Sequence, residues 1–329
     1  MLDVLEDYYD AVPRSAARAE DFGPLTLFVR ESEGWPYYAR PARSWHGPVT
    51  AADVRRVRER QRELGVPESF EWVAETTPAL RAAVEEAGLT VREHPLMALA
   101  PDARPTGGDA AGGGAAGESA VGGSAVGGAA AGRDAAGKDA AGEAVGGRDA
   151  SGRGAAGEAA AGRAAAGRGA AGDIDGLSVR IVGPGDPALP GAVAVPPVAF
   201  SEPGPAVGTA GPAELAAVVR RMSADGSVDR LAARIRAGLT VLAAAVQDGT
   251  VLCAGQHQPV GDVTELVGIG TLPTARRRGL GLAVTAALVA EARGRGVRTV
   301  FLSAGDEVTG RMYERVGFRR VGTALIAEG

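Results

Sequence analysis

Between a stretch of strand character and one of helix character runs Leu272-Pro273-Thr274-Ala275-Arg276-Arg277-Arg278-Gly279-Leu280-Gly281. Pro273 ends the strand. Gly279 and Gly281 lack a Cβ, so the backbone there can come close to a ligand while the first N–H groups of the following helix point outward. The positive end of the helix dipole and the neighbouring guanidinium groups add attraction for an anion, and this arrangement suits a pyrophosphate. The plain alternative is a glycine-capped, solvated turn with incidental arginines. The spacing is neither the G-x-G-x-x-G of dinucleotide folds nor the Gly-Lys-Ser/Thr of P-loop enzymes. Charge favours an anion here: from residue 273 to the C-terminus ten arginines face five acids, a local +5 in a chain whose net charge is −5.

A second cluster, Tyr313-Glu314-Arg315-Val316-Gly317-Phe318, begins 32 residues after Gly281. Arg276-x-x-Gly279-x-Gly281 resembles the (Gln/Arg)-x-x-Gly-x-(Gly/Ala) coenzyme A signature of the GNAT superfamily of N-acetyltransferases. The Tyr-Glu-x-x-Gly-Phe cluster is similar to that family's closing element. Two motifs in the right order and in strand-helix context are more specific than either alone, and the resemblance covers roughly residues 174–329.

The resemblance implies acetyl-CoA as co-substrate and a strand, here Ile269, Gly270 and Thr271, whose backbone pairs with the pantetheine arm beside a splay. It places Arg276, Arg277, Arg278, Gly279, Leu280, Gly281 and Leu282 around the pyrophosphate. Tyr313 falls where the family commonly keeps the acid that reprotonates the departing thiolate, and an ordinary phenol pKa near 10 suits that task. Its plain alternative is an aromatic packing residue on a helix with Val308, Met312 and Val316. An amine attacks a thioester only as the free amine, so a base is needed. Glu265, eleven residues before Arg276, stands at the offset used by histone-acetylating members; the alternative is a surface carboxylate at the start of a strand. Two positions depart from the family pattern. Asp306 replaces a frequent Asn, still able to accept a hydrogen bond but adding charge beside the cofactor arm, and Thr309 replaces Ala. Phe301-Leu302-Ser303 offers no acid on the next strand, which puts more weight on Glu265 or on water.

These residues need a frame. In the second half, strands are expected at residues 177–182, 239–247, 250–257, 263–272, 299–303 and 319–327, with helices near 213–222, 229–236, 280–293 and 307–316. The first half repeats the end of that order on a smaller scale: strands at 25–30 and 35–40, a helix capped by Thr50 with Asp53 at its third position, a strand at 70–73, a helix from about 77 to 87 and a strand at 89–99. Gly65-Val66 answers Gly296-Val297, and Gly88-Leu89 answers Gly317-Phe318, so the halves read as diverged copies. The first lacks an Arg-x-x-Gly-x-Gly, and the arginines of its helix wrap around as a solvated face. The expected fold class is α+β: a GNAT-like mixed, mostly antiparallel sheet flanked by helices, preceded by a smaller truncated copy. Residues 1–104 form the degenerate copy and 174–329 the acetyltransferase domain. Between them, residues 105–173 are expected to be a disordered linker, since 47 of the 68 positions from 106 to 173 are Gly or Ala and no Leu, Ile, Met or aromatic is among them.

The remaining composition narrows the chemistry. One cysteine, Cys253, excludes a disulfide framework, and with three histidines, His46, His94 and His257, no metal is expected. None of these four is a candidate nucleophile. The acidic N-terminus does not resemble a signal peptide and the longest apolar run is far shorter than a membrane span, so the expectation is a soluble, cytoplasmic protein without membrane or nucleic-acid partners. The acceptor is expected to be a small-molecule amine or a protein amino group, with the loops near residues 196–212 and 256–262 shaping its site. The competing reading is a catalytically inactive acyl-CoA-binding module; survival of both Glu265 and Tyr313 argues for the enzyme. A phosphate-binding regulator would leave the Tyr-x-x-x-Gly-Phe element unexplained.

Overall fold

The computed structural model describes residues 1–31, 37–100 and 176–329. The expected linker, residues 105–173, lies outside the described residues, as do Trp35 and Pro36 of one expected strand. The first half contains α1 (Leu2–Ala11), β1 (Ala17–Asp21), β2 (Leu25–Arg30), β3 (Ala39–Pro41), α2 (Ala51–Glu63), β4 (Ser69–Val73), α3 (Leu80–Glu86) and β5 (Thr90–Leu99). The second half contains β6 (Leu177–Val182), α4 (Leu189–Ser201), α5 (Pro212–Ala224), α6 (Ser227–Arg236), β7 (Val241–Gln247), β8 (Thr250–Val260), β9 (Val263–Thr271), α7 (Leu280–Gly294), β10 (Thr299–Ser303), α8 (Glu307–Glu314) and β11 (Phe318–Glu328).

The eleven strands of the described residues join one sheet in the order β1-β2-β3-β4-β11-β5-β10-β9-β8-β7-β6. The order is a palindrome about the β11–β5 pair. β4 matches β10, β3 matches β9, β2 matches β8 and β1 matches β7, and both β3/β4 and β9/β10 are parallel pairs in an otherwise antiparallel sheet. Two helices occupy matching places as well: α2 links β3 to β4 as α7 links β9 to β10, and α3 precedes β5 as α8 precedes β11. The topology is that of a mixed GNAT-like sheet preceded by a smaller copy, which among the described residues lacks a counterpart of β6 and has the single helix α1 where the second half has α4 to α6. Each half's last strand is inserted into the other half. β11 lies between β4 and β5, and β5 lies between β10 and β11, paired antiparallel from Phe318↔Leu99 to Glu328↔Thr90.

Alternation along the central strands separates two faces. Leu325 and Ala327 join the core under α2 and α3, whereas Ala324 and Ile326 join a cluster with Leu5, Tyr8, Tyr9 and Val12 of α1. Leu96, Ala98, Val263 and Phe301 lie on that α1 face; Met97, Leu99, Val300 and Leu302 belong to the core that holds α7 and α8. His257 of β8, fully buried, ties α7 to the sheet: Nδ1 lies 2.9 Å from Thr264 Oγ1 and Nε2 lies 2.7 Å from Glu291 Oε2.

Three expectations need correction. Pro196 and Pro197 stand inside α4 instead of in a loop, although proline removes a helical N–H donor. Burial overrides that cost: Leu189, Ala192, Ala194, Val195, Val198 and Ala199 are all buried. The α1 helix and β1, absent from the expected order, both form. The expected strand at 35–40 contracts, over its described part, to Ala39–Pro41.

Candidate functional site

The ladder between β9 and β10 is short. It runs from Thr299↔Val263 to Phe301↔Glu265, after which β9 continues to Thr271 while residues 301–303 of β10 pair with β5. The strands therefore part just beyond Glu265. On the other side β9 stays paired with β8, where the register passes from Ala254↔Gly270 to Gln256↔Val267 and gives β9 one extra residue. Gly268, with φ 63°, takes the left-handed conformation that this bulge requires. Ile269, Gly270 and Thr271 thus lie on a strand whose β10-facing edge carries no ladder among the described residues. Gly270 also has a packing reason, since a Cβ there would come within 2.9 Å of Ala199 Cβ in α4.

After β9 a 3-10 turn, Pro273–Ala275, leads into the arginine loop. Gly279, φ 74°, is the N-cap of α7; no side chain caps this helix, and its first turn holds no acid. Leu280 anchors the turn in the core and Leu282 packs partly buried against it. A Cβ on Gly281 would sit 3.8 Å from both Met312 Sδ and Thr271 Oγ1, so the end of β9, the start of α7 and α8 converge there. Arg277 is exposed and held at φ 64°, a region rarely taken by residues other than glycine. Arg278 donates to Gln247 Oε1 at 2.7 Å. Arg276 is turned the other way. Its buried guanidinium donates to the carbonyls of Ala199 (2.8 Å), Glu202 (2.6 Å) and Ala206 (3.0 Å). The signature arginine therefore clamps the C-terminal end of α4, where a cation also meets the negative end of the helix dipole, and its side chain is not available to a phosphate.

Glu265 and Tyr313 approach the parting strands from opposite faces. Glu265 is 4 % exposed, on the α1 face, and Tyr9 donates its hydroxyl hydrogen to Oε1 at 3.3 Å. Burial, and then the nearby Glu71 carboxylate, push its pKa well above the usual carboxylate range, while the Tyr9 bond pulls it back. Tyr313 belongs to the core on the α7 and α8 face, edge-on to Phe318 with ring centroids 6.0 Å apart. Burial, and then the Cys253 thiol, raise its pKa above the ordinary phenol value, so it stays protonated through neutral pH. Cys253 accepts a hydrogen bond from Thr271 Oγ1 at 3.2 Å, and burial pushes its thiol up to about 12, which fits an inert thiol. Asp306 is a helix cap: its Oδ1 accepts from the Thr309 N–H at 2.7 Å at the start of α8. Capping explains this carboxylate without a cofactor contact, and Asn would serve equally.

Residues not anticipated from sequence surround Glu265. Tyr8 donates its hydroxyl to the Gln258 carbonyl at 2.7 Å and accepts from the Glu265 N–H at 3.2 Å. Arg40, 1 % exposed, pairs with Glu6, which also accepts from Thr76 Oγ1 at 2.6 Å. Tyr9, Arg40, Glu71 and Trp72 line a small cavity, where Arg40 Nε, Glu71 Oε2 and Trp72 Nε1 have no hydrogen-bond partner among the described residues. The signal was present: Leu5, Tyr8, Tyr9 and Val12 recur at helical spacing, and Tyr8-Tyr9 holds two of the chain's five tyrosines. Among the described residues no group of three or more His, Cys, Asp or Glu side chains could hold a metal ion, and no helix is long and apolar enough to cross a membrane.

Comparison with known proteins places this geometry in a family context. Residues 246–325 match the family model described as FR47-like protein. A GCN5-related N-acetyltransferase from Kribbella flavida superposes with a TM-score of 0.58 at 16 % identity, covering 100 % of this chain and 95 % of that one. A second GCN5-related N-acetyltransferase, from Sphaerobacter thermophilus, gives 0.50 at 15 % identity, covering 99 % and 84 %. No curated protein matches the sequence. Residues 246–325 are thus similar to the FR47-like family, and the described chain has the fold seen in the GCN5-related N-acetyltransferases.

Proposed function

We propose that the protein is an N-acetyltransferase that moves the acetyl group of acetyl-CoA to a primary amine of a small molecule or a protein. One observation carries the reading: β9 and β10 part just beyond Glu265, with the bare N-terminus of α7 at the far end of the same strand. The parting leaves peptide groups of residues 269–271 able to pair with an amide-bearing arm. At its end, the N–H groups of Leu280, Gly281 and Leu282 are the ones a helix leaves without internal partners. Gly281 adds no side chain between them and a pyrophosphate, and Arg277 and Arg278 supply positive charge. These residues fit coenzyme A, which supplies the acyl thioester. Arg276 and Asp306 hold the protein around that site instead of touching the ligand.

Glu265 takes a proton from the acceptor's ammonium, directly or through water, and leaves the free amine that attacks the thioester carbonyl as the carbon–sulfur bond breaks. A carboxylate whose proton affinity is raised by burial is a better base for this than an ordinary surface glutamate. Tyr313, protonated and on the opposite face, donates toward the sulfur as negative charge develops. The test is a panel of amines with acetyl-CoA and full-length protein, read as thiol release, alongside calorimetry with coenzyme A. Turnover of at least one amine is expected. Tight coenzyme binding with no amine consumed would instead make the protein an acyl-CoA-binding module.

A further inference from the structure

The first half has no coenzyme loop, yet it supplies the surroundings of Glu265. Glu265 of β9 pairs with Phe301 at the last step of the ladder, and Ser303, two residues further along β10, pairs with Leu96 of β5, across the gap where β9 and β10 part. The hydroxyl of Tyr9 spans that gap, 3.3 Å from Glu265 Oε1 and 3.4 Å from Ser303 Oγ. With the carboxyl ionised, one arrangement of protons satisfies both contacts: Ser303 donates to Tyr9, and Tyr9 donates to the carboxylate. Tyr9 is itself held from several sides. Its ring stands edge-on to Phe301 at 5.4 Å, the Arg40 guanidinium lies 5.4 Å from the ring centroid, and Tyr38 donates its hydroxyl to the Tyr9 carbonyl at 3.4 Å. Arg40 is in turn fixed by its buried pair with Glu6 on the same helix.

We infer that Tyr9 is a positioning residue for Glu265, so that the half without a coenzyme site orients the carboxylate of the other half and sets its affinity for protons. The inference rests on the reading of Glu265 as the base. The titratable and charged groups around the carboxylate are Tyr8 and Tyr9 from α1, Tyr38 and Arg40 at β3, Glu71 from β4 and Arg234 from α6, which acts on Tyr8. Glu71 and burial raise the proton affinity of Glu265, and the Tyr9 hydroxyl is the group that lowers it. Removing that hydroxyl withdraws stabilisation from the charged form, so the carboxyl must titrate at higher pH.

Carbon-13 labelling of glutamate side chains in the full chain reads this directly, without an acceptor. The Glu265 carboxyl resonance is the one lost in Glu265→Gln. In Tyr9→Phe, which keeps the ring on Phe301, its midpoint is expected to rise by about one pH unit, the size of one charge-assisted hydrogen bond. The acid limb of turnover should rise with it, with KM for acetyl-CoA unchanged. A midpoint that stays in place or falls overturns the inference. Should Tyr9→Phe lose its cooperative unfolding transition, Ser303→Ala carries the same test, with a smaller upward shift expected and an unmoved midpoint again overturning it. Wild-type turnover in Glu265→Gln would bring down the reading of the base and the inference with it. The two failures are told apart because the titration does not depend on catalysis.

Discussion

The starts of α2 and α7 occupy matching places in the palindromic sheet, each after the first strand of a parallel pair, and they are finished in opposite ways. At α2 the Thr50 side chain accepts from the Asp53 N–H at 3.3 Å, and Asp53 Oδ2 accepts from the Thr50 N–H at 2.9 Å. Arg56 pairs with Asp53 at 2.6 Å. The helix start consumes its own amides and places a carboxylate where an anion would have to bind. At α7 a glycine takes the cap position and no acid follows. The strands differ in step: among the described residues β3 has three residues and meets β4 only at Ala39↔Phe70, whereas β9 has nine and leaves β10 partway. A helix N-terminus can satisfy itself or receive a ligand, and only the second copy leaves the choice open.

The largest expected effect lies where the two halves meet. Glu265→Gln should reduce turnover by about 10²–10⁴-fold, the usual span for a lost general base. In the unmodified protein the proposed activity should rise with pH through a midpoint above the ordinary glutamate value, because the raised carboxyl must lose its proton before it can accept one. A sufficiently alkaline assay should partly rescue the variant, since more of the acceptor is then already neutral. Tyr313→Phe should lower turnover with acetyl-CoA affinity nearly intact. Losses below about fivefold in both variants would leave positioning alone to drive the reaction.

Arg276 sharpens the contrast between clamp and ligand. Arg276→Ala removes three charge-assisted bonds to buried or half-buried carbonyls and should cost at least about 2 kcal/mol in chemical denaturation. Gly281→Val should do the reverse. The space around Gly281 accepts a Cβ at ordinary contact distance, so folding should survive while calorimetric affinity for coenzyme A falls at least about tenfold, or 1.4 kcal/mol. If Arg276→Ala lost coenzyme affinity with stability intact, its guanidinium would have to leave the α4 carbonyls in the bound state.

What could be read from the sequence followed the strength of local signals. Thr50 and Asp53 announced α2, and the glycine-bounded order of the last six elements announced the strand that parts from its neighbour and the glycine-capped start of α7. Side-chain direction was not legible: Arg276 matches the signature yet points into the protein, because the carbonyls it binds lie at the end of α4 and in the segment just after it, and that helix was hidden by its two prolines. The surroundings of Glu265 were hidden for another reason. Tyr9, Arg40 and Glu71 lie far from it in sequence and come from the other half, which shares one sheet with Glu265 through the exchanged β5 and β11. No local pattern encodes such an exchange.

The smallest expected effect separates a cap from a ligand at Asp306. Its carboxylate accepts the Thr309 N–H as Thr50 accepts that of Asp53, so Asp306→Ala and Thr50→Ala should each cost about 1 kcal/mol of stability. Asp306→Asn should cost little, since an amide oxygen caps as well. Neither capping loss should change the affinity for coenzyme A by more than about twofold, or 0.4 kcal/mol. Thr50 stands in the half whose matching helix is closed to ligands, so it is the control for a purely structural loss. If Asp306→Ala and Thr50→Ala agree in stability but only the first weakens coenzyme binding, the carboxylate does more than cap α8. The α8 start would then join the α7 start as part of what the second copy keeps open and the first has closed.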